Sequence, residues 1–273
     1  MSDDHDREPS PAELFHRFFG PSIFIPWTRV LLDHADPRPG ERVLDLACGT
    51  GIVARRVARF VGPEGEVAAL DIDPDMLEVA RSREDPVGAS VEWTRGDAAD
   101  LDFPDDSFDL VLCQQGLQFF EEPVPALSEA RRVLRAGGRM VLNVWQPLER
   151  HPVYRALLEA EARYLESDLQ DVATPFVFGD EERVRGVLSE AGFERVNVAE
   201  ETLDVVFTDP ETFVSLTVMA GAAVVPEVAM DDPEERDSLI EAIRRDGEDV
   251  LERYREGDAL VFPMPNYVAT AHA

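Results

Sequence analysis

One break constrains this chain more than any other feature. The apolar run RVLDLA at residues 42–47 gives way to Cys48-Gly49-Thr50-Gly51, then to Val53, Ala54, Val57, Phe60 and Val61 at helical spacing. A short apolar run ending in a glycine-rich turn reads as a buried strand, and the periodic positions after it read as one face of a helix. The alternation repeats. Residues 66–70 predict a strand ending at Asp71, and Pro74-Asp75 opens a helix through Met76, Leu77, Val79 and Ala80. Strands follow at 90–94, 108–113 and 139–145, with a helix over 124–134. Parallel neighbours need crossovers, and these crossovers are helical, so the expectation is an α/β fold: a doubly wound, mostly parallel sheet covered on both faces.

The second half has a different texture. Helices are predicted over 153–165 and 180–191, a strand over 195–207 in which Val196, Val198, Leu203, Val205 and Phe207 alternate within its two ends, and a last strand over 260–269. The insertion 209–257 starts at Pro210-Glu211, runs apolar over 213–225 and closes in a charged helix over 239–254. The predicted organisation is a single domain, 1–273, with an N-terminal cap (1–40), a ligand-binding core (41–146) and helical lid insertions at 147–178 and 209–257.

Charge narrows the partners. Fifty-six acidic against 26 basic residues give −30, and every basic residue is arginine, since lysine is absent. Nucleic acids and anionic membrane surfaces both select for basic residues, so neither is expected as a partner. The scattered acids have two readings: adaptation to molar salt, where self-repulsion is screened, or an ordinary acidic protein from a GC-rich genome. Apolar residues make up 44% of the chain, enough to fold despite this charge. Two cysteines are too few for a disulfide framework, the start is acidic rather than signal-like, and the longest apolar run, 218–225, is too short to span a bilayer. A cytoplasmic protein is expected.

In open parallel sheets ligands bind beyond the carboxyl ends of the strands, where the first glycine-rich turn lies. Here that turn follows Asp45, four residues ahead of Gly49. With Ala54 it also matches a dinucleotide fingerprint, but a carboxylate beside the turn opposes a pyrophosphate. Asp45 suits an ammonium or sulfonium instead, and Gly49 and Gly51 let the backbone approach it. Asp71, 20 residues beyond Gly51, is placed to accept both hydroxyls of a ribose. Asp97 is placed to accept from an adenine amino group; the other reading is a loop residue capping a turn. Together these residues describe a nucleoside with an amino-acid arm.

The motifs VLDLACGTG (43–51), ALDIDPDML (69–77), GDAADLDFPDDSFDLVLCQQGLQFF (96–120) and RVLRAGGRMVLNVW (132–145) resemble those of the class I S-adenosylmethionine-dependent methyltransferases. The resemblance implies a Rossmann-like sheet of seven strands whose last strand is antiparallel, with S-adenosylmethionine as cofactor. It implies that Asp45, Ala47, Gly49 and Gly51 surround the methionine arm, Asp71 holds the ribose, Ile72 and Met76 flank the adenine, and Asp97 and Ala98 read its edge. Gln114 meets the methionine amino group through its backbone. The stretch LFHRFFGPSIFIPW is expected to fold over the cofactor, with Phe19 and Trp27 as contacts or as core. The nearest branch includes ubiquinone and menaquinone biosynthesis methyltransferases. The chain departs from that branch at Ala136-Gly137-Gly138, where the group has Pro-Gly-Gly, and at Asn143-Val144-Trp145, where it has Glu-x-Ser.

The expected acceptor is a small, partly hydrophobic metabolite. Cys113-Gln114-Gln115-Gly116 is not the turn that grips a flipped base, and no acid cluster is spaced for a metal. Because the sulfonium is already activated, alignment alone can supply about 7–11 kcal/mol, so no general base is required. Gln114, Gln115 and Gln118 could orient an acceptor, and His16 or His151 could take a proton; surface roles are the alternative for both histidines. Cys48 and Cys113 end adjacent strands, at the cofactor pocket or simply as buried thiols. Phe176, Phe178, Phe213, Leu216 and Met219 in the lids suit an apolar ligand, and core packing explains them equally. The competing functional reading is a cofactor-binding sensor without turnover.

Overall fold

The computed structural model describes residues 9–84, 86–176, 178–222 and 232–273; residues 223–225 of the expected apolar stretch lie outside them. Each apolar run of the first half becomes a strand: β1 (Arg42–Leu46), β2 (Glu66–Asp71), β3 (Val91–Arg95), β4 (Phe108–Gln114) and β5 (Leu134–Trp145). β1 pairs in parallel with β2 and β4, and β2 with β3, so that Asp45 stands in register with Ala69 and Leu112. With β6 (Glu194–Phe207), the two-residue β7 (Arg255–Glu256) and β8 (Ala259–His272), the sheet order is β3-β2-β1-β4-β5-β8-β6, and β7 pairs with β8. The sheet is mostly parallel, with antiparallel pairing at β8 and β6. β4 is buried along its whole length, as a central strand covered on both faces must be.

Two compact units divide the chain: Met1–Leu142 with Val187–Asn197 and Ala269–Ala273, and Asn143–Gly186 with Val198–Val268. The first unit opens on α1 (Pro11–Leu14), capped by a reciprocal Ser10–Glu13 box, and continues as a π-helical stretch, Phe15–Phe24, into α2 (Ile25–Ala35). α3 (Ile52–Val61), α4 (Pro74–Ser82) and α5 (Pro123–Val133) are its crossovers. β5 starts five residues earlier than expected, because Gly137-Gly138 bends the strand internally and does not precede it.

In the second unit α6 (Pro152–Tyr164) packs on α9 (Pro210–Ala222) and α10 (Pro233–Arg253), with α7 (Leu169–Val172) beside α6 and α9; α8 (Glu181–Glu190) crosses between the units' chain segments. α10 begins six residues ahead of its expected start, at a cap that apolar spacing overlooks: the Asp232 carboxylate accepts from Glu234 N at 2.8 Å and Pro233 occupies the first turn. Gly247 lets α10 close on Leu157 of α6. Phe176, Phe178 and Phe213 are all buried, and Phe213 lies 4.4 Å from Phe207 and 5.4 Å from Phe262. Of the apolar lid residues, only Met219 is exposed and Leu216 half-buried; the three phenylalanines form this unit's core.

Candidate functional site

The first crossover needs an anion at its start. α3 is capped by Gly51, which has no side chain to satisfy the helix's free N–H groups. Asp45, at the end of β1, does so instead: its Oδ2 accepts from Ala54 N at 2.8 Å. The residue is 1% exposed, and its Oδ1 has no hydrogen-bond partner among the described residues. Burial raises its pKa to about 8, the Ala54 bond opposes this and the Asp71 charge adds to it. The turn between is tight, with Ala47, Gly49 and Gly51 all at positive φ, and Cys48 N bonded to Leu70 O at 3.0 Å. A Cβ on Gly49 would meet nothing within 4 Å, so that side of the turn is open to a ligand.

Asp71, at the end of β2, ties the two turns together. Its Oδ2 accepts from Gly49 N at 2.6 Å and its Oδ1 from Asp73 N at 2.9 Å, short contacts typical of charged acceptors. Burial raises its pKa, against these backbone bonds. Each oxygen keeps a second lone pair for a ligand hydroxyl. Asp73 in turn caps α4 through Asp75 N at 2.8 Å. Ile72 beside it is 62% exposed, Met76 is half-buried and Ala98 buried. The Asp97 carboxylate is exposed and accepts from Ala99 N at 2.9 Å, the turn cap that was its alternative reading.

At the end of β4 the Gln114 side chain donates to Phe24 O at 3.1 Å, and His16 Nδ1 lies 2.8 Å from Thr50 Oγ1. The N-terminal segment is therefore fastened to both turns. Burial, followed by Arg83 and Arg55, lowers the His16 pKa, which leaves a neutral ring at pH 7. Phe19 is half-buried, 6.1 Å from Phe15, and Trp27 is wholly buried in α2. Gln115 takes a left-handed φ of 56°, and its Oε1 accepts from Gln118 Nε2 at 2.8 Å. Cys48 and Cys113 are buried thiols; burial pushes both pKa values up, Cys113 to about 12. His151 belongs to the second unit: it is 1% exposed, its Nε2 is 3.1 Å from Gln146 O, and burial lowers its pKa to about 4. It is a core histidine, not a surface one. Among the described residues no group of three His, Cys, Asp or Glu could hold a metal.

Three members of the site escape sequence reasoning. Thr50 lies inside the glycine-rich motif but was given no role there, and Trp93 carries no motif, yet Thr50 meets His16 and the Trp93 ring fills the space where Gly51 would carry a Cβ. Arg55 lies over that ring at 5.1 Å. Asp73 had a signal, since Asp followed by Pro starts helices.

Two carboxylates at adjacent strand ends, an open glycine turn and, among the described residues, no basic side chain bonded to either acid make a site for a cationic ligand with hydroxyls, not for a phosphate. One test follows from Asp45. A raised folded-state pKa stabilises the ligand-free protein below about pH 4 and loses that contribution as pH rises to about 8. Asp45→Asn is expected to remove this loss, so that wild type weakens relative to the variant between pH 5 and 8 in urea unfolding. Parallel stability profiles would contradict a buried, shifted carboxyl.

Residues 44–142 match the family model described as a methyltransferase domain. The chain is 35% identical over 189 residues to a ubiquinone/menaquinone biosynthesis C-methyltransferase UbiE of Ectopseudomonas mendocina, covering 62% of this chain and 72% of the relative. It is 33% identical over 184 residues to the enzyme so named in Stutzerimonas stutzeri, covering 63% and 72%. Among solved structures, a putative methyltransferase from an antibiotic biosynthesis pathway of Anabaena variabilis superposes with a TM-score of 0.64 at 20% identity, over 89% of this chain and 96% of that one. Haemonchus contortus phosphoethanolamine N-methyltransferase 2, in complex with S-adenosyl-L-methionine, gives 0.58 at 18% identity, over 96% of this chain and 57% of that one.

Proposed function

We infer that this chain, which belongs to the class I S-adenosylmethionine-dependent methyltransferases, passes the methyl group to a small, partly hydrophobic metabolite. It is an enzyme and S-adenosylmethionine is its cofactor; the competing sensor reading gives way to that membership. The cofactor supplies a methyl group on a positively charged sulfur, already activated for displacement. The observation that carries the site assignment is the buried Asp45 carboxyl with an unpartnered Oδ1. It faces a ligand that brings an ammonium group, and it becomes a full carboxylate when that charge arrives. Asp71 holds the ribose hydroxyls with its remaining lone pairs while keeping the Gly49 turn in place. Ile72 and Met76 flank the adenine, Asp97 and Ala98 lie at its edge, and Ala47, Cys48, Gly49, Gly51 and Gln114 line the methionine arm. The π-helical segment with Phe19, followed by Trp27 in α2, lies over them, fastened through His16–Thr50 and Gln114–Phe24.

The relatives named for quinone C-methylation support an acceptor with an apolar ring. Phe119, 57% exposed just beyond β4, adds an apolar surface next to this turn. The test is release of S-adenosylhomocysteine from S-adenosylmethionine across a panel of apolar phenols, quinols and amines, with sugars and amino acids as polar controls. Turnover with an apolar member is expected; turnover confined to the polar controls would overturn the acceptor class. No described helix is long and apolar enough to cross a membrane.

The charge of −30 with no lysine supports a protein adapted to high salt. Its melting temperature is expected to rise from 0.1 to 3 M KCl, because screening shortens from about 10 Å to 3 Å or less and self-repulsion fades. A melting temperature that stays flat or falls would remove that reading.

A further inference from the structure

The cofactor roles proposed above leave the β4 turn partly unused. Gln118 is 7% exposed, in the 3₁₀ turn Leu117–Phe119. Its Nε2 is held by Gln115 Oε1 at 2.8 Å, and its Oε1 is buried with no partner among the described residues. A buried amide oxygen without a donor is costly unless something supplies one. The turn is held against the glycine-rich loop: a Cβ on Gly116 would come within 2.6 Å of Ala47 Cβ and 2.9 Å of Cys113 Sγ. Gln115 presents its side chain from a left-handed φ of 56°, a conformation that a non-glycine residue adopts at a cost and that clusters at functional sites. Phe119, next in sequence, is exposed.

We propose that Gln118 orients the methyl acceptor: its Oε1 accepts a hydrogen bond from an O–H or N–H of the substrate, and Gln115 is the positioning residue that aims it. The acceptor class narrows accordingly, from any partly hydrophobic metabolite to one that couples an apolar ring or chain with a hydroxyl or amino donor. This rests on the acceptor reading above and adds the donor to it.

Phenol and toluene separate the two, since the same ring carries a hydroxyl in one and a methyl in the other. Binding of each to the protein saturated with S-adenosylhomocysteine, followed by ligand-observed NMR titration, is expected to favour phenol by about tenfold, the worth of one good hydrogen bond. In Gln118→Leu that preference should vanish with S-adenosylhomocysteine affinity and melting temperature unchanged. Gln118→Met, close in shape but without the amide oxygen, should lose it in the same way, and serves if the leucine variant does not fold. Equal binding of both probes to wild type, or a preference that survives Gln118→Leu, overturns the role of Gln118 and leaves the apolar reading standing. Rejection of both probes by wild type overturns both. Weakened S-adenosylhomocysteine binding in Gln118→Leu would make the residue a support for the cofactor turn, and would overturn the proposal equally.

Discussion

Asp71→Ala is expected to raise the Kd for S-adenosylmethionine and S-adenosylhomocysteine at least about 100-fold while leaving the protein folded. The carboxylate does two jobs at once. It holds the Gly49 N–H at 2.6 Å and the Asp73 N–H at 2.9 Å, and by proposal it accepts the ribose hydroxyls with the lone pairs that remain. Alanine removes the acceptor for the ligand and releases the turn that shapes the methionine pocket. Hydrogen bonds to a charged group contribute about 1.5–3 kcal/mol each, so losing two costs about 3–6 kcal/mol, or 10² to 10⁴ in affinity. Asp97→Ala, at the proposed adenine edge, is the weaker member of the same site. Its carboxylate is exposed and caps Ala99, so its loss should cost less than about tenfold. Calorimetric titration of all three proteins decides the matter: an Asp71→Ala protein that binds within about threefold of wild type would remove Asp71 from the site.

Gly51→Ala is expected to cost about 2–5 kcal/mol of stability, the largest effect of any single methyl group added to this turn. Gly51 sits at φ +78°, where an alanine is strained by about 1–2 kcal/mol. Its new Cβ would also fall 2.4 Å and 2.6 Å from two carbons of the Trp93 ring. Arg55 lies over that ring, and its guanidinium also bonds the backbone carbonyls of Ala80 and Glu84, so the ring cannot yield freely. Overpacking of this kind adds about 1–3 kcal/mol. Gly49→Ala separates the two causes. It has φ +52° and open space around its Cβ, so it should show the backbone strain alone. Urea unfolding of the two variants should therefore differ by the packing cost, and equal losses would show that Trp93 gives way.

The ligand-binding half was legible because its chemistry is local. Strand, turn and acid follow one another within a few residues, and β1 to β4 appear within one residue of their expected bounds. Asp45 and Asp71 lie at the strand ends that apolar spacing assigned them. The same local reading gave no hint of the π-helical stretch, since residues 14–27 were read only as a segment folding over the cofactor with no helical register assigned, and it placed the start of α10 late because that helix's first turns are polar. For the apolar lid residues two readings were open, and only packing distinguishes them: Phe176, Phe178 and Phe213 are core.

The order of strands and crossovers, the acid at each strand end and the exclusion of phosphate from the first turn can all be read from residues adjacent in the chain. What those acids do before a ligand arrives depends on the packed fold. Asp45 caps a helix whose own cap is a glycine, and Asp71 reaches across to the neighbouring turn. Gln118 lies 73 residues from Asp45 in the chain, and its buried oxygen acquires meaning only once Gly116 packs on Ala47. Burial and the presence or absence of a partner are properties of what surrounds an atom in space, and no spacing along the chain encodes them.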